Sequence, residues 1–167
     1  MTANGDRDHP TGLTHLDGDG QARMVGVGAK GETARGAVAC STVRLGSEAF
    51  AAVASGSGPK GDAVQIARIA AFSATKRTPD LIPLCHPVRI TGVQVQAALD
   101  ADERTVTFTV QVTALDRTGV EMEALTAASV AALVLYDMTK AIDKGAVIER
   151  TRLLRKWGGK SGDFVAP

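Results

Sequence analysis

Aromatic residues are scarce in this sequence, and several other features are missing as well. Only 4% of the residues are aromatic, so a base-stacking platform for nucleic acids is not expected. The formal net charge is +1, whereas proteins that bind nucleic acids or membrane surfaces normally carry a basic excess. There is no run of about 18 apolar residues, so a membrane-spanning helix is not expected. The N-terminus also lacks the apolar segment of a signal peptide.

Cysteine is nearly absent too. The two cysteines, Cys40 and Cys85, are too few for a disulfide framework. A reduced, cytoplasmic protein is therefore expected.

Small side chains are abundant instead. The 167 residues include 27 Ala and 18 Gly, and 44% of the chain is hydrophobic. That length is sufficient for one domain with its own core. A core of Ala, Val, Leu and Ile has little bulk per residue and requires close approach of backbones. Such chains often complete their burial by forming oligomers.

Hydrophobic alternation and breaker residues predict eight elements in the order ββααββαβ. The strands are predicted at residues 22–27, 33–45, 93–100, 105–112 and 147–156. Helices are predicted at 46–54 and 62–78, and a third of roughly 23 residues is predicted to begin at a capping box formed by Thr118 and Glu121. Pro79 is expected to end the second helix, and the three prolines in residues 79–87 predict neither helix nor central strand there.

This order of elements predicts an α+β fold. We expect a two-layer sandwich of the ferredoxin-like kind, with helices packed on one face of an antiparallel or mixed sheet. Residues 1–12 are polar and are predicted to form a disordered tail, and residues 13–167 a single domain.

Lys60 stands just before the second helix, where a cation opposes the positive end of the helix dipole. It is either a solvated loop lysine or part of an anion site formed with the helix N–H groups. Asp62 is expected to cap the helix rather than to catalyse.

Cys85 and His86 lie on the proline-stiffened loop. Their adjacency does not suit one metal ion, and no further ligands follow at zinc-like spacing. The pair is either a buried thiol beside a hydrogen-bonded histidine, a pocket wall, or a weak candidate for covalent catalysis.

The third helix carries several charged residues. Glu121 has a structural explanation in the capping box, whereas Glu123 does not. Asp137 and Lys140 are three positions apart, which fits either a solvated ion pair or an acid–base pair in which the lysine lowers the aspartate pKa. Glu123 and Asp137 are separated by about 21 Å along a straight helix. If both serve one substrate, a symmetric oligomer must bring them together.

The C-terminal segment WGGKSGD is similar to a phosphate-binding loop but lacks its first glycine, since Leu154 occupies that position. A Walker-type nucleoside triphosphatase is therefore excluded. A basic, glycine-rich tail that folds over a phosphate is still compatible with the sequence, with Lys156 and Lys160 as its cations.

Longer motifs indicate a known family. They are MVGVGAKGETAR, ATKRT, PDLIPLCHP, TGVEMEALTAASVAAL, LYDMTKA and GGKSGDF. Through them, from about Leu13 to Phe164, the chain resembles the cyclic pyranopterin monophosphate synthase family, accessory protein C of molybdenum-cofactor biosynthesis. LIPLCHP and TGVEMEALTAASVAAL are the most specific of these matches.

The resemblance implies a lyase that converts (8S)-3',8-cyclo-7,8-dihydroguanosine 5'-triphosphate to cyclic pyranopterin monophosphate and releases diphosphate. It implies catalytic roles for Lys60, Asp137 and Lys140. The substrate-binding residues that it implies are Leu84, Cys85, His86, Met122, Glu123, Arg35, Lys30 and Lys156. It further implies a homohexamer, a trimer of dimers with the site at a subunit interface. No resident metal is predicted, and any magnesium would accompany the substrate triphosphate.

The residues alone leave two rival functions open. The first is a non-catalytic nucleotide- or RNA-binding α+β module, for which phosphate contacts alone would matter. The second is a cysteine hydrolase that uses Cys85 and His86. Proton transfer in the synthase itself would suit His86, Asp137 and a lysine of depressed pKa.

Overall fold

The fold is built on a central β-sheet, seen in a computed structural model that describes residues 15–16 and 19–167. The elements in chain order are β1 (Thr33–Arg44), α1 (Ser47–Ala54), α2 (Ala63–Lys76), α3 (Thr78–Leu81), β2 (Ile90–Asp100), β3 (Thr105–Asp116), α4 (Glu121–Thr139), β4 (Val147–Trp157) and β5 (Phe164–Val165). The predicted tail, residues 1–12, lies outside the described residues.

The sheet has five strands in the order β2-β3-β1-β4-β5, and every neighbouring pair is antiparallel. The β2–β3 hairpin forms because valines alternate with Thr and Gln, which gives each strand one apolar face. The long helices connect β1 to β2 and β3 to β4, and this succession is the split β-α-β arrangement of ferredoxin-like folds. The α+β prediction with one antiparallel sheet is confirmed.

The core lies between the sheet and the two long helices. Val106, Phe108, Val110 and Val112 of β3 are fully buried in this core, as are Ala37 and Ala39 of β1. Both helices present alanines to this layer: Ala67 and Ala71 of α2, and Ala124, Ala127, Ala128 and Ala131 of α4, all 0% exposed. The small side chains let α2 and α4 pack closely, as the Ala-rich composition predicted.

The prediction of a first strand at residues 22–27 is wrong. Only Ala22 takes part in pairing, as an isolated bridge to Leu16, and residues 23–29 lie outside the strands. Val25 and Val27 of this segment line a pocket instead of pairing with a strand. The predicted order ββααββαβ is corrected accordingly, with the sheet starting at β1 and gaining β5 near the C-terminus.

Helix α2 ends before Pro79, as predicted, but the prediction that residues 79–87 contain no helix is wrong for residues 79–81. Asp62 caps α2 by accepting from the Gln65 N–H at 3.1 Å, which confirms its expected role, and the helix runs to Lys76. A short helix, α3, then begins at Thr78 with Pro79 in its first turn. Proline is tolerated there because the first N–H groups of a helix have no intrahelical partner.

Helix α4 begins without the predicted capping box. Its N-cap is Val120, no side chain caps it, and it spans 19 residues rather than about 23. The Glu121 carboxylate lies over Gly119, where a Cβ atom would collide with it, so it does not pair with Thr118 in a capping box. Within the described part of the chain, α4 is long and apolar enough to cross a bilayer, but half of its apolar window is buried in the fold, as expected for a core helix.

Candidate active site

Lys60, Asp137 and Lys140 form one cluster, here called the Asp137 cluster. A tight turn closed by the Gly61 N–H and the Gly58 carbonyl at 2.9 Å presents Lys60 to the C-terminal end of α4. Its Nζ donates to Asp137 Oδ2 at 3.0 Å and to the Asp137 carbonyl at 3.1 Å. Lys140, one helical turn on, lies 2.7 Å from Asp137 Oδ1. One carboxylate therefore bridges two lysines brought together from distant parts of the chain.

The lysines control the ionisation of Asp137. Hydrogen bonds from Lys140 and then Lys60 lower the pKa of Asp137 to about 2. In return, the hydrogen bond to Asp137 raises the pKa of Lys140. The expected lowering of the aspartate pKa is confirmed, but the expectation of a lysine with a depressed pKa is wrong for Lys140, because a half-exposed lysine beside a carboxylate retains its proton.

The loop before β2 and the start of α4 enclose a cavity of about 400 Å³, here called the Cys85 pocket. It contains six of the residues implied by the resemblance: Lys30, Leu84, Cys85, His86, Met122 and Glu123. The rest of its wall is formed by His15, Val25, Val27, Thr118, Gly119 and Glu121. The proline-stiffened loop is thus a pocket wall, one of the alternatives that the sequence left open.

Burial dominates the electrostatics of the Cys85 pocket. Glu123 is only 2% exposed, and this burial raises the pKa of its carboxyl group to about 7. Burial also raises the pKa of the Cys85 thiol, with a further contribution from Glu123. Cys85 is therefore held as a thiol, the unreactive form, while Glu123 can take up or release a proton near neutral pH.

A second cavity of about 220 Å³, here called the basic pocket, lies at the ends of β1, β3 and β4. Five cationic side chains and one acid, Glu121, are among its lining residues; the cations are Lys30, Arg35, Arg117, Lys156 and Lys160. The basic pocket and the Cys85 pocket share Lys30, Thr118, Gly119 and Glu121, so they adjoin.

Oxygens of the backbone and of one hydroxyl group hold these cations in place. Arg35 donates from Nη2 to the Arg117 carbonyl at 3.2 Å and from Nε to the Asp116 carbonyl at 3.4 Å. Arg117 donates from Nη1 to the Gly28 carbonyl at 3.2 Å, and Lys156 donates to the hydroxyl of Ser161. Since these bonds use neutral acceptors, the positive charges of the basic pocket are not cancelled by them.

Two residues of the basic pocket were missed by sequence reasoning. Arg117 falls just after β3, in a loop whose only signal was Thr118–Gly119, and its buried Nε makes no hydrogen bond to the described residues. Trp157 ends β4, and its indole lies directly on Gly36, with the Arg155 guanidinium 5.1 Å from the ring centre. Both residues could have been predicted from their positions in the sequence, because each follows or ends a strand, and the ends of β3 and β4 lie at the same end of the sheet.

The Asp137 cluster and the two pockets lie at opposite ends of α4. Glu123 is in its first turn and Asp137 in its last, which corresponds to about 21 Å along the helix axis. The structure thus brings the predicted residues together in two groups rather than one. Within residues 15–16 and 19–167, no group of three or more His, Cys, Asp or Glu side chains is placed to hold a metal ion.

Comparison with known proteins adds a family to this geometry. The MoaC family model matches residues 24–159. A protein from Roseiflexus sp. (strain RS-1), named cyclic pyranopterin monophosphate synthase, is 57% identical over 153 residues, which cover 92% of this chain and 97% of that protein. Proteins of the same name from Roseiflexus castenholzii and Novosphingobium aromaticivorans are 56% and 54% identical, with the same coverage of both chains.

Proposed function

Because the chain belongs to the MoaC family, we propose that it is a lyase of molybdenum-cofactor biosynthesis that makes cyclic pyranopterin monophosphate. Its substrate is (8S)-3',8-cyclo-7,8-dihydroguanosine 5'-triphosphate, and the second product is diphosphate. The observation that carries this proposal is the pair of adjoining pockets, one strongly basic and one lined by a thiol, an imidazole and a buried acid. A nucleoside triphosphate has the same division into an anionic tail and a ring.

The charge of the basic pocket supports its role as the triphosphate site. Five cations and one acid leave an excess of four positive charges, which matches a triphosphate carrying about four negative charges. Lys30, Arg35 and Lys156 supply part of that excess. The guanidinium of Arg35 is additionally suited to two phosphate oxygens at once.

The Cys85 pocket is proposed to hold the purine-derived ring. Leu84 and Met122 offer apolar contact, while Cys85, His86 and Glu123 offer polar groups. His86 and Glu123 would exchange protons with ring nitrogens during the rearrangement, and the Glu123 carboxyl, with a pKa of about 7, changes charge at neutral pH.

Formation of the cyclic phosphate is a phosphoryl transfer. A sugar hydroxyl oxygen attacks the α-phosphorus, its proton passes to a base, and the bond from the α-phosphorus to the bridging oxygen breaks to release diphosphate. Lys60 and Lys140 would neutralise the departing charge. With a pKa of about 2, Asp137 is a weak base while both lysines contact it. Phosphate that draws the lysines away would raise this pKa and make Asp137 a better proton acceptor.

If the Asp137 cluster and the two pockets serve one substrate, the distance of about 21 Å along α4 calls for a second subunit. A two-fold dimer that places the Asp137 cluster of one subunit beside the pockets of the other would complete each site. We propose this dimer, assembled three times into a homohexamer, as the active form. A cytoplasmic location and magnesium bound through the substrate phosphates are part of the same proposal.

The decisive experiment supplies the cyclised triphosphate and measures diphosphate and pterin together. Equal amounts of both products support the synthase, whereas binding without products supports a nucleotide-binding module. Lys60→Ala and Lys140→Ala should abolish turnover and leave the oligomer intact, and retained activity in either would remove the assigned roles. The high pKa of the Cys85 thiol argues against a cysteine hydrolase, and normal activity of Cys85→Ser would exclude it.

A further inference from the structure

The backbone after β4 passes unusually close to Arg35. A methyl group on Gly159 would overlap Nη1 and Cζ of the Arg35 guanidinium. Gly159 has a φ of +76°, a conformation that residues with side chains rarely adopt. Glycine at this position therefore satisfies both the backbone and the neighbouring guanidinium.

The guanidinium of Arg35 is enclosed on two sides as a result. Its Nε and Nη2 donate to the carbonyl oxygens of Asp116 and Arg117, while the Gly159 backbone lies against Nη1. These carbonyls use two of its five N–H donors, and Arg35 still lines the basic pocket, where a remaining donor can serve a ligand. Arg35 is thus held by β3 from one side and by the glycine loop from the other.

We propose that Gly159 is a positioning residue that fixes the Arg35 guanidinium for binding a polyphosphate. The inference deepens the proposed function, because it rests on the basic pocket receiving the phosphates. A side chain at residue 159 would push the guanidinium off its carbonyl acceptors or push the loop away from β1. In both cases the Arg35 guanidinium would be displaced relative to the phosphate, while the net charge of the basic pocket would be unchanged.

Gly162 provides a matched control within the same loop. Its φ is +67°, close to that of Gly159, and its N–H donates to the Gly159 carbonyl at 3.2 Å. A Cβ on Gly162 would meet nothing within 4 Å. Gly162→Ala therefore introduces the same kind of backbone penalty as Gly159→Ala without displacing Arg35.

The experiment measures binding of inorganic tripolyphosphate by calorimetry at fixed salt. The proteins are wild type, Gly159→Ala, Gly162→Ala, Arg35→Ala and the double variant Gly159→Ala/Arg35→Ala. We expect Gly159→Ala to weaken binding about tenfold, the loss typical of charge-assisted hydrogen bonds, and Gly162→Ala to stay within about twofold. In the Arg35→Ala background, Gly159→Ala should have no further effect.

Equal losses in Gly159→Ala and Gly162→Ala would overturn the proposal, as would a further loss in the double variant. If Gly159→Ala fails to fold but the double variant folds, the overlap with Arg35 is supported. If neither folds, Gly159 serves the backbone alone and the proposal is wrong. In turnover, Gly159→Ala should raise KM about tenfold and change kcat less than about twofold.

The outcome is separable from that of the proposed function. Tripolyphosphate binding requires no turnover, so a wild-type protein that makes no product but shows this pattern would keep the positioning role and lose the synthase assignment. A wild-type protein that makes product while Gly159→Ala behaves like Gly162→Ala would lose the positioning role alone.

Discussion

At the scale of single residues, Glu123 has the most unusual environment. The residue lines a ligand-sized cavity, yet it is only 2% exposed and lies in the first turn of the core helix α4. The other titratable groups that line this cavity are His15, Lys30, Cys85, His86 and Glu121. Burial favours the neutral acid, and the nearby Glu121 carboxylate favours it further.

This environment predicts a pH-dependent cost to stability. Burial raises the pKa of Glu123 from 4.5 to about 7, so the cost is absent below pH 4.5 and complete above about pH 7. Glu123→Gln removes the titration and should become more stable than wild type by up to about 3 kcal/mol as the pH rises through this window. When melting temperatures at pH 5, 6, 7 and 8 are plotted against pH, the curves of the two proteins should move apart. Parallel curves for the two proteins would contradict it.

Individual site residues differ in how far the sequence predicts them. Lys60 lies 77 residues before Asp137 in the sequence, and only the folded chain shows that the Asp137 carboxylate bridges Lys60 and Lys140. Arg117 gave no signal because arginine after a strand is common in solvated loops. Its place in the basic pocket depends on the antiparallel pairing that puts the end of β3 beside the start of β1.

At the scale of elements, the pairing of α2 with α4 depends on small residues. Every buried position of α2 is Ala or Thr, and so are six of the nine buried positions of α4. Such an interface has little free volume, so the helices have no room for longer side chains. The Ala-rich composition predicted close approach of backbones, but it could not predict which two helices approach each other.

Ala71→Leu should accordingly destabilise the protein. Ala71 is 0% exposed in the core, and three added carbon atoms have no space there. We expect a loss of about 1–3 kcal/mol in the free energy of unfolding, measured by urea titration. Ala51→Leu on the exposed face of α1 is the matched control and should change stability by less than about 0.5 kcal/mol. Equal losses in both variants would show that the α2–α4 layer tolerates bulk.

Element boundaries show where local patterns were sufficient. The β2–β3 hairpin was predicted because its alternation is strict and only one face of it is covered by helices. The predicted start of α4 was wrong because Thr118 and Glu121, which resemble a capping box in the sequence, line the two pockets. The Glu121 side chain lies over Gly119. Functional loops are the places where such local rules are expected to fail.

At the scale of the whole molecule, α4 separates the two halves of the proposed site. The Asp137 cluster at its end is about half exposed, and the pockets open at its start. If the halves combine between subunits, two inactive variants should complement each other. Glu123→Ala damages one half and Lys140→Ala damages the other.

Coexpression of these two variants should restore about a quarter of wild-type activity. Random pairing makes half of the dimers mixed, and each mixed dimer contains one intact site of two. The measurement is turnover of the purified mixture against each variant alone. A mixture as inactive as its components, with mixed dimers verified by two affinity tags, would place the whole site within one subunit.

The position of Trp157 gives this chain a built-in optical probe. It is the only tryptophan in the sequence, and it lines the basic pocket, with its ring against Gly36 and near the Arg155 guanidinium. All tryptophan emission therefore originates from one wall of the cavity proposed to receive phosphates. A change in its intensity or wavelength during titration with an anion would report occupancy of that cavity without any label.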